Sequence, residues 1–560
     1  MIDNGKIWFA STGENYETRL YLDPKTMNRH GFICGATGTG KTVTLKVISE
    51  SLSELGVPVF LADVKGDLGG FMLPGQDNDN MQERIKRFGL GDSFAYKRFP
   101  TAFFDIYGEK GIPLRTTISE MGPMLLAQCL GLNDTQSDVL SVVFKIADDK
   151  GLLLLDTKDL KSMLNYVADN MADFEANYGR IAKVTVNTII RAIVALEAEG
   201  GDRFFGEPAI DISDLFRIDN NGRGMINVLS AEILINKPKL YTAFMLFLMS
   251  ELFESLPEVG DPEKPKMVFF FDEAHLLFDN ASPALLEKIA QVVKLIRSKG
   301  VGIFFATQSP ADIPNDIMSQ LSNKIEHALR AYTPKEMKAV KTAAESFRVN
   351  PAFDTAELLQ QLGTGEAVVS MLDAKGIPTP CEHAYILPPE SLMGTITSAA
   401  RKDAILTDAI ADKYWEPVDN DSAYEFLQRR QIQIDEENAR IVEEKAKAEE
   451  EAKAKAAAEK EAAKEQAAAE KAAEKAAAQA EREAARAKAA AEKAAAKQEE
   501  KAKRALKTGV KSVASTTSGS IGRELGKAIG GTMGGSFGKT LGGNVGASLG
   551  RNIIGTLFKL

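Results

Sequence analysis

Gly35-Ala36-Thr37-Gly38-Thr39-Gly40-Lys41-Thr42 fits the phosphate-loop pattern G-x-x-x-x-G-K-[S/T] without a substitution. Before it, His30-Gly31-Phe32-Ile33-Cys34 reads as a short buried strand. After it, Leu45, Ile48, Leu52 and Leu55 recur at helical spacing. The loop therefore lies between a strand and a helix, the context the motif requires. Gly35, Gly38 and Gly40 let the backbone curl so that its N–H groups converge on phosphate oxygens, and the helix N-terminus adds partial positive charge. Ala36, Thr37 and Thr39 complete the cradle. Lys41 is expected to reach the β- and γ-phosphates of ATP, and Thr42 to ligate Mg²⁺. An ordinary Gly-rich turn is the alternative, and the flanking strand and helix speak against it.

On either side of the loop the chain alternates strand and helix. Near-continuous apolar runs at Val57–Ala62, Ala102–Tyr107, Gly224–Leu229, Lys266–Phe271 and Val301–Ala306 read as strands buried on both faces. The expected fold is α/β, RecA-like, with a mainly parallel central sheet. Ligands of such sheets bind beyond the strand C-terminal ends, where the phosphate loop, Asp63, Asp272 and Thr307 all fall. Between Arg115 and Glu199 the pattern turns helical, as at Val139-Leu140 with Val143-Phe144. This is expected to be a helical insertion, residues 110–205, within an ATPase core of residues 1–400.

Phe269-Phe270-Phe271-Asp272-Glu273-Ala274-His275 is an apolar strand ending in two carboxylates, which fits a Walker B element. Asp272 is expected to hold Mg²⁺ from outside its direct ligands, and Glu273 to orient or activate the attacking water. Paired acids at a strand end also serve as helix caps, but an intact phosphate loop on the same sheet favours chemistry. Ala306-Thr307-Gln308-Ser309-Pro310 ends the following strand, and the Gln308 amide is placed to sense the γ-phosphate or the water.

Together with Asp63-Val64-Lys65-Gly66-Asp67, Arg115 to Pro123 and Leu362-Gly363-Thr364-Gly365-Glu366, these motifs stand in the order of a known family. Over residues 1 to 400 the chain resembles the HerA–FtsK branch of P-loop ATPases, in the HerA helicase-like bacterial subgroup typified by YjgR. The resemblance implies a RecA-like fold, ATP hydrolysis with Mg²⁺, a homo-oligomeric ring of hexamer type and DNA translocation or unwinding. It also implies an arginine supplied from a neighbouring subunit, for which Arg330 and Arg297 are the candidates; surface ion pairs are their other reading. HerA itself carries a β-barrel ahead of its core, a module for which residues 1 to 30 are expected to be too short.

The remainder sets bounds. The 560 residues carry a formal net charge of −10, so a nucleic-acid surface must be local rather than global. Cys34, Cys129 and Cys381 have no metal or disulfide spacing, no secretory leader is legible and no long uncharged apolar run occurs. A cytoplasmic protein is expected. Residues 401–421 read as a linker. From Ser422 to about Thr508 there is neither Gly nor Pro, and Ala, Glu and Lys dominate, which encodes a helix of about 130 Å. With little but Ala to pack in its later part, a solvated single helix or a weak alanine-packed coil is expected. In residues 509–560 a glycine recurs every fourth position from Gly522 to Gly550, each preceded by an apolar residue. As a helix this row permits close backbone approach, so self-association, or contact with a membrane or protein partner through residues 519–555, stands against a disordered tail. A second function class follows from it: an ATP-gated assembly scaffold whose rod and tail engage a partner.

Overall fold

The computed structural model describes residues 1–495 apart from 280 and 282. Its strands are β1 (Ile2–Asp3), β2 (Lys6–Thr12), β3 (Thr18–Leu22), β4 (Gly31–Cys34), β5 (Val59–Asp63), β6 (Thr101–Asp105), β7 (Ile112–Pro113), β8 (Ile226–Ser230), β9 (Met267–Phe271), β10 (Val301–Thr307), β11 (Asn323–His327), β12 (Glu366–Ser370) and β13 (Glu382–Ile386). They form one sheet in the order β1-β2-β13-β12-β11-β4-β10-β9-β5-β8-β6-β7, with β3 added on β2. From β11 to β7 every pairing is parallel. From β11 outward through β12, β13 and β2 every pairing is antiparallel.

The parallel half explains the apolar runs. β4, β5, β8, β9 and β10 are buried at every residue, because helices cover both faces. Phenylalanines set the spacing: Phe270 packs on Phe304 and Phe271 on Phe305, with ring centroids 5.2 and 5.4 Å apart. Register then aligns the strand ends. Thr307 pairs with Cys34, Phe271 with both Phe305 and Ala62, and Asp63 with Ser230. Everything that follows those residues in sequence emerges at one rim.

The antiparallel half was only partly legible. β3 pairs with β2, and β2 is held by β13, a strand some 370 residues later, through Tyr385 opposite Ser11. After β7 come the helices Ile118–Leu130, Asp134–Asp149, Thr157–Asp169, Met171–Tyr178 and Lys183–Glu197. Capping boxes at Thr117/Glu120, Asn133/Gln136 and Asp156/Asp159 fix where three of them begin. Their facing sides bury Leu140, Val143, Leu160, Met163, Val186 and Ile189.

Residues Met1–Arg430 form one compact unit. Within it, the stretch after the last strand is packed rather than free. Asp408 takes a two-pronged ion pair from Arg217, at 2.7 and 3.2 Å. Tyr414 is fully buried and accepts from Arg115 at its carbonyl, 2.7 Å away. A helix spans Ala423–Ala495, and at its start the Glu425 carboxylate accepts from the Ser422 N–H at 3.0 Å. The rest of the expected rod and the whole glycine repeat lie outside the described residues. No described helix is long and apolar enough to cross a membrane.

Gly31 shows how tightly the central strands meet. A Cβ on it would lie 2.1 Å from the Phe304 ring. Gly31→Ala is expected to cost about 1–3 kcal/mol by overpacking, read as a lower denaturation midpoint at unchanged slope. Gly31→Ala with Phe304→Leu should recover part of the loss.

Candidate functional site

The phosphate loop leaves β4 and enters the helix Lys41–Glu54. Gly35, Gly38 and Gly40 have φ of 152°, 79° and 123°, values that L side chains resist. At Gly35 space adds to the demand, because a Cβ would lie 2.5 Å from that of His327. Three neighbours pin the loop. The Gly35 N–H donates to Thr307 O, the Ala36 N–H to Ala328 O, and the Gly365 N–H to Thr39 O. The turn Gly363–Glu366 is thus a clamp on the loop as well as the entry to β12. Lys41 Nζ donates to the loop's own carbonyls, Gly35 O at 2.6 Å and Ala36 O at 3.2 Å. Thr42 is the second residue of the helix.

Behind the loop stands His327, a residue the sequence did not single out. Its Nδ1 lies 2.8 Å from Glu366 O, which only accepts, so Nδ1 carries the proton. Nε2 then accepts from Thr44 Oγ1 at 2.8 Å. Burial pushes its pKa down to about 4, so the ring is neutral at physiological pH. Arg84 was also missed. Its guanidinium lies under Gly365, where a Cβ would come within 2.0 Å of Nη2. Nothing in the sequence near Arg84 signals this, since it comes from a surface helix, Asp79–Arg87, between the motifs.

Asp272 and Glu273 emerge from β9 beside the loop. Asp272 is buried, and that burial raises its pKa to about 6 against the pull of Lys65. Glu273 sits in the left-handed region at φ 48°, a strained conformation for a residue with a side chain. Its carboxylate accepts from Lys65 Nζ at 2.6 Å and from Gln308 Nε2 at 3.1 and 3.2 Å. His275 Nδ1 is 3.4 Å away. Burial works to raise the Glu273 pKa, but the Lys65 and Gln308 contacts outweigh it and hold the carboxyl below its ordinary value. Gln308 Oε1 accepts in turn from Thr37 Oγ1 at 3.2 Å. One continuous chain, Thr37–Gln308–Glu273–Lys65, joins the phosphate loop, the strand after Walker B, Walker B itself and the loop after β5.

Lys41 is part of the same electrostatic cluster. Burial and then Lys65 lower its pKa, while Glu273 and Asp272 act to raise it. Asp63 shapes the Lys65 loop by accepting from the N–H groups of Gly66 at 2.7 Å and Leu68 at 3.1 Å. Lys65, which the sequence shows only as part of the Asp63–Asp67 motif, is therefore central. The two arginines lie elsewhere. Arg330 follows β11 and donates to Gln360 O at 2.8 Å. Arg297 precedes β10, at the end of that strand away from Gln308, and bonds Asp261 at 3.3 Å. Neither enters this chain's own loop.

The residues fit a magnesium nucleotide. The loop's glycines occupy the conformations a phosphate cradle needs, and a Cβ at Gly38 would meet no protein atom within 4 Å. A lysine, a helix-start hydroxyl and a buried acid pair converge there. No preformed cluster of three or more His, Cys, Asp or Glu able to hold a metal exists among the described residues.

Fold and site together define the class, a RecA-like P-loop NTPase. The sequence profile described as "Helicase HerA-like C-terminal" matches residues 10–540, and the chain belongs to that family. It is 24% identical over 372 residues to the DNA double-strand break repair helicase HerA of Sulfolobus acidocaldarius, covering 64% of this chain and 65% of that one. The Sulfurisphaera tokodaii protein of the same description is 24% identical over 369 residues, with the same coverage. The chain thus spans just under two thirds of the curated relatives it matches. Among solved structures, the bacterial conjugative coupling protein TrwBdeltaN70 aligns at TM-score 0.47 and 13% identity, over 69% of this chain and 90% of that one.

Glu326, on β11 beside the loop strand, offers a pH test. It is fully buried with Oε2 unpaired, and burial raises its pKa to about 8 against the pull of Lys324. A folded-state pKa above the unfolded value means the native state binds the extra proton. Glu326 therefore favours folding at low pH, and this contribution is lost as pH rises from about 4.5 toward 8. Glu326→Gln mimics the protonated acid. Its melting temperature relative to the unmutated chain should rise between pH 5 and pH 8; a flat difference would show that Glu326 is ionised throughout.

Proposed function

We propose that the chain is an ATP-hydrolysing motor that acts on DNA as a translocase or helicase. The observation that carries this reading is the Thr37–Gln308–Glu273–Lys65 chain, which ties the phosphate loop to the water-activating carboxylate. The loop amides and the N-terminus of helix Lys41–Glu54 bind the phosphates of ATP. Lys41 exchanges its two loop carbonyls for phosphate oxygens. Thr42, with Asp272 behind it, would hold Mg²⁺, which would supply charge neutralisation to the phosphates. Glu273 orients the attacking water, and Gln308, bonded to both the loop and Glu273, reports which nucleotide is present.

DNA as the substrate is supported by membership of the HerA-like family and by the relatives described as DNA double-strand break repair helicases. We further propose a ring of identical copies in which Arg330 completes the neighbour's site. Arg330 is the better of the two arginines because it follows a strand end on the phosphate-loop side, whereas Arg297 is engaged by Asp261. The glycine repeat within residues 519–555 is assigned to contact with a protein or membrane partner.

Lys41→Ala should abolish binding of a fluorescent ATP analogue. Glu273→Gln should keep binding and lose turnover by at least about 100-fold. Normal hydrolysis by Glu273→Gln would remove Glu273 from the water-activating role. If Arg330 acts in trans, Arg330→Ala and Glu273→Gln chains, each inactive alone, should regain part of the rate when mixed. No regain at any ratio would remove Arg330 from that role.

A further inference from the structure

A second cleft of about 650 Å³ shares one residue, Lys65, with the phosphate site. Its floor is built from loops that follow β5, β6 and β8, and its far wall from the helix Ser398–Leu406 and Trp415. These are strand C-terminal ends, the side on which open parallel sheets bind their ligands.

Four basic side chains, Lys65, Lys110, Arg401 and Lys402, line it against two acidic ones, Glu109 and Glu232, with one exposed aromatic. Lys65 and Lys110 are paired with carboxylates, Lys65 to Glu273 at 2.6 Å and Lys110 to Glu232 at 2.5 Å. Arg401 and Lys402 form no ion pair among the described residues, and Arg401 Nη1 is buried without a hydrogen-bond partner. Arg401 packs on Phe103, with its guanidinium carbon 4.8 Å from the ring centroid. Trp415 is 41% exposed at the cleft edge, although the chain is acidic and has only two tryptophans. Cations left without a partner beside an exposed indole match the two things a single nucleic-acid strand presents, phosphates to neutralise and an unpaired base to stack.

Lys65 belongs to both sites. It lines this cleft and it holds Glu273, the residue assigned to activate water. A carboxylate bonded to an ammonium is a poorer base than a free one. We propose that the cleft binds the phosphodiester backbone of a single DNA strand, with Trp415 stacking a base, and that the strand's phosphates draw Lys65 away from Glu273. The cleft becomes the point at which DNA switches hydrolysis on. The relay rests on the assignment of Glu273 made above; the cleft itself does not.

Trp415 is its own reporter, because the other tryptophan, Trp8, is only 7% exposed. Titrating the full chain with a 20-residue oligothymidine should quench tryptophan fluorescence saturably. Lys402→Glu, at an exposed position, and Trp415→Phe should each weaken the oligonucleotide's binding, measured by anisotropy, on the order of tenfold. Lys402→Glu should keep basal ATP hydrolysis and lose its stimulation by DNA. Absence of quenching, equal quenching by inorganic phosphate alone, or tighter binding of duplex than of single strand would overturn the cleft assignment. For the relay, Lys65→Met should raise the DNA-free rate and abolish stimulation. An inactive Lys65→Met chain, or one still fully stimulated, would overturn it. A wild-type chain without ATP turnover would sink the preceding functional reading while leaving the fluorescence titration decisive for the cleft.

Discussion

Gln308 is the hinge of the site. Its amide oxygen takes the Thr37 hydroxyl and its amide nitrogen gives to Glu273, so one side chain spans the gap between the loop that would hold phosphate and the acid that would act on it. An amide is suited to this, since it offers a donor and an acceptor on opposite sides and stays neutral at any relevant pH. The bridge can form only if β4, β9 and β10 end level with one another. The Phe270–Phe304 and Phe271–Phe305 contacts within the parallel half set that register. A one-residue slip of a strand would send its side chains to the opposite face.

The charges around this bridge are balanced rather than simply paired. Lys41, Lys65, Asp272 and Glu273 lie within one another's fields, in a partly buried place where such fields are weakly screened. Lys65 keeps Glu273 ionised while burial pushes Asp272 toward the neutral form. Two adjacent carboxyls are thereby driven apart in pKa, an arrangement that lets neighbouring acids take different tasks. The αL backbone at Glu273 is a further cost located at the same point. The carboxylate of that same residue is the one held by Gln308 and Lys65.

Much of this was readable from residue order. The phosphate loop needs a strand before it and a helix after it, and both neighbours advertise themselves by apolar spacing. The Phe-rich strands before Asp272 and Gln308 do likewise, which is why the acid pair and the amide could be assigned to one rim. β11 was missed because Asn-Lys-Ile-Glu-His looks like a surface segment. Except for Glu326 Oε2, its buried polar groups are satisfied at short range: the Asn323 amide donates to Thr26 O and His30 O, and His327 is held by Thr44 and Glu366. The helix after the phosphate loop misleads in the same way. Lys46 and Glu50 look like its solvent face, yet Lys46 lies 3.8 Å over Phe71, and Glu50 accepts from the N–H groups of Glu390 and Ser391. Arg84 and the pairing of β2 with β13 depend on contacts hundreds of residues apart along the chain, which periodicity does not encode.

The proposed chemistry requires the loop at residues 35–42 and the acid pair at 272–273 to meet around a single triphosphate. Isothermal titration calorimetry of the full chain with ATP in the presence of Mg²⁺ addresses it without depending on turnover or DNA. One bound nucleotide per chain, with affinity that falls sharply when Mg²⁺ is chelated, is the predicted result; no heat of binding would contradict the account at its root.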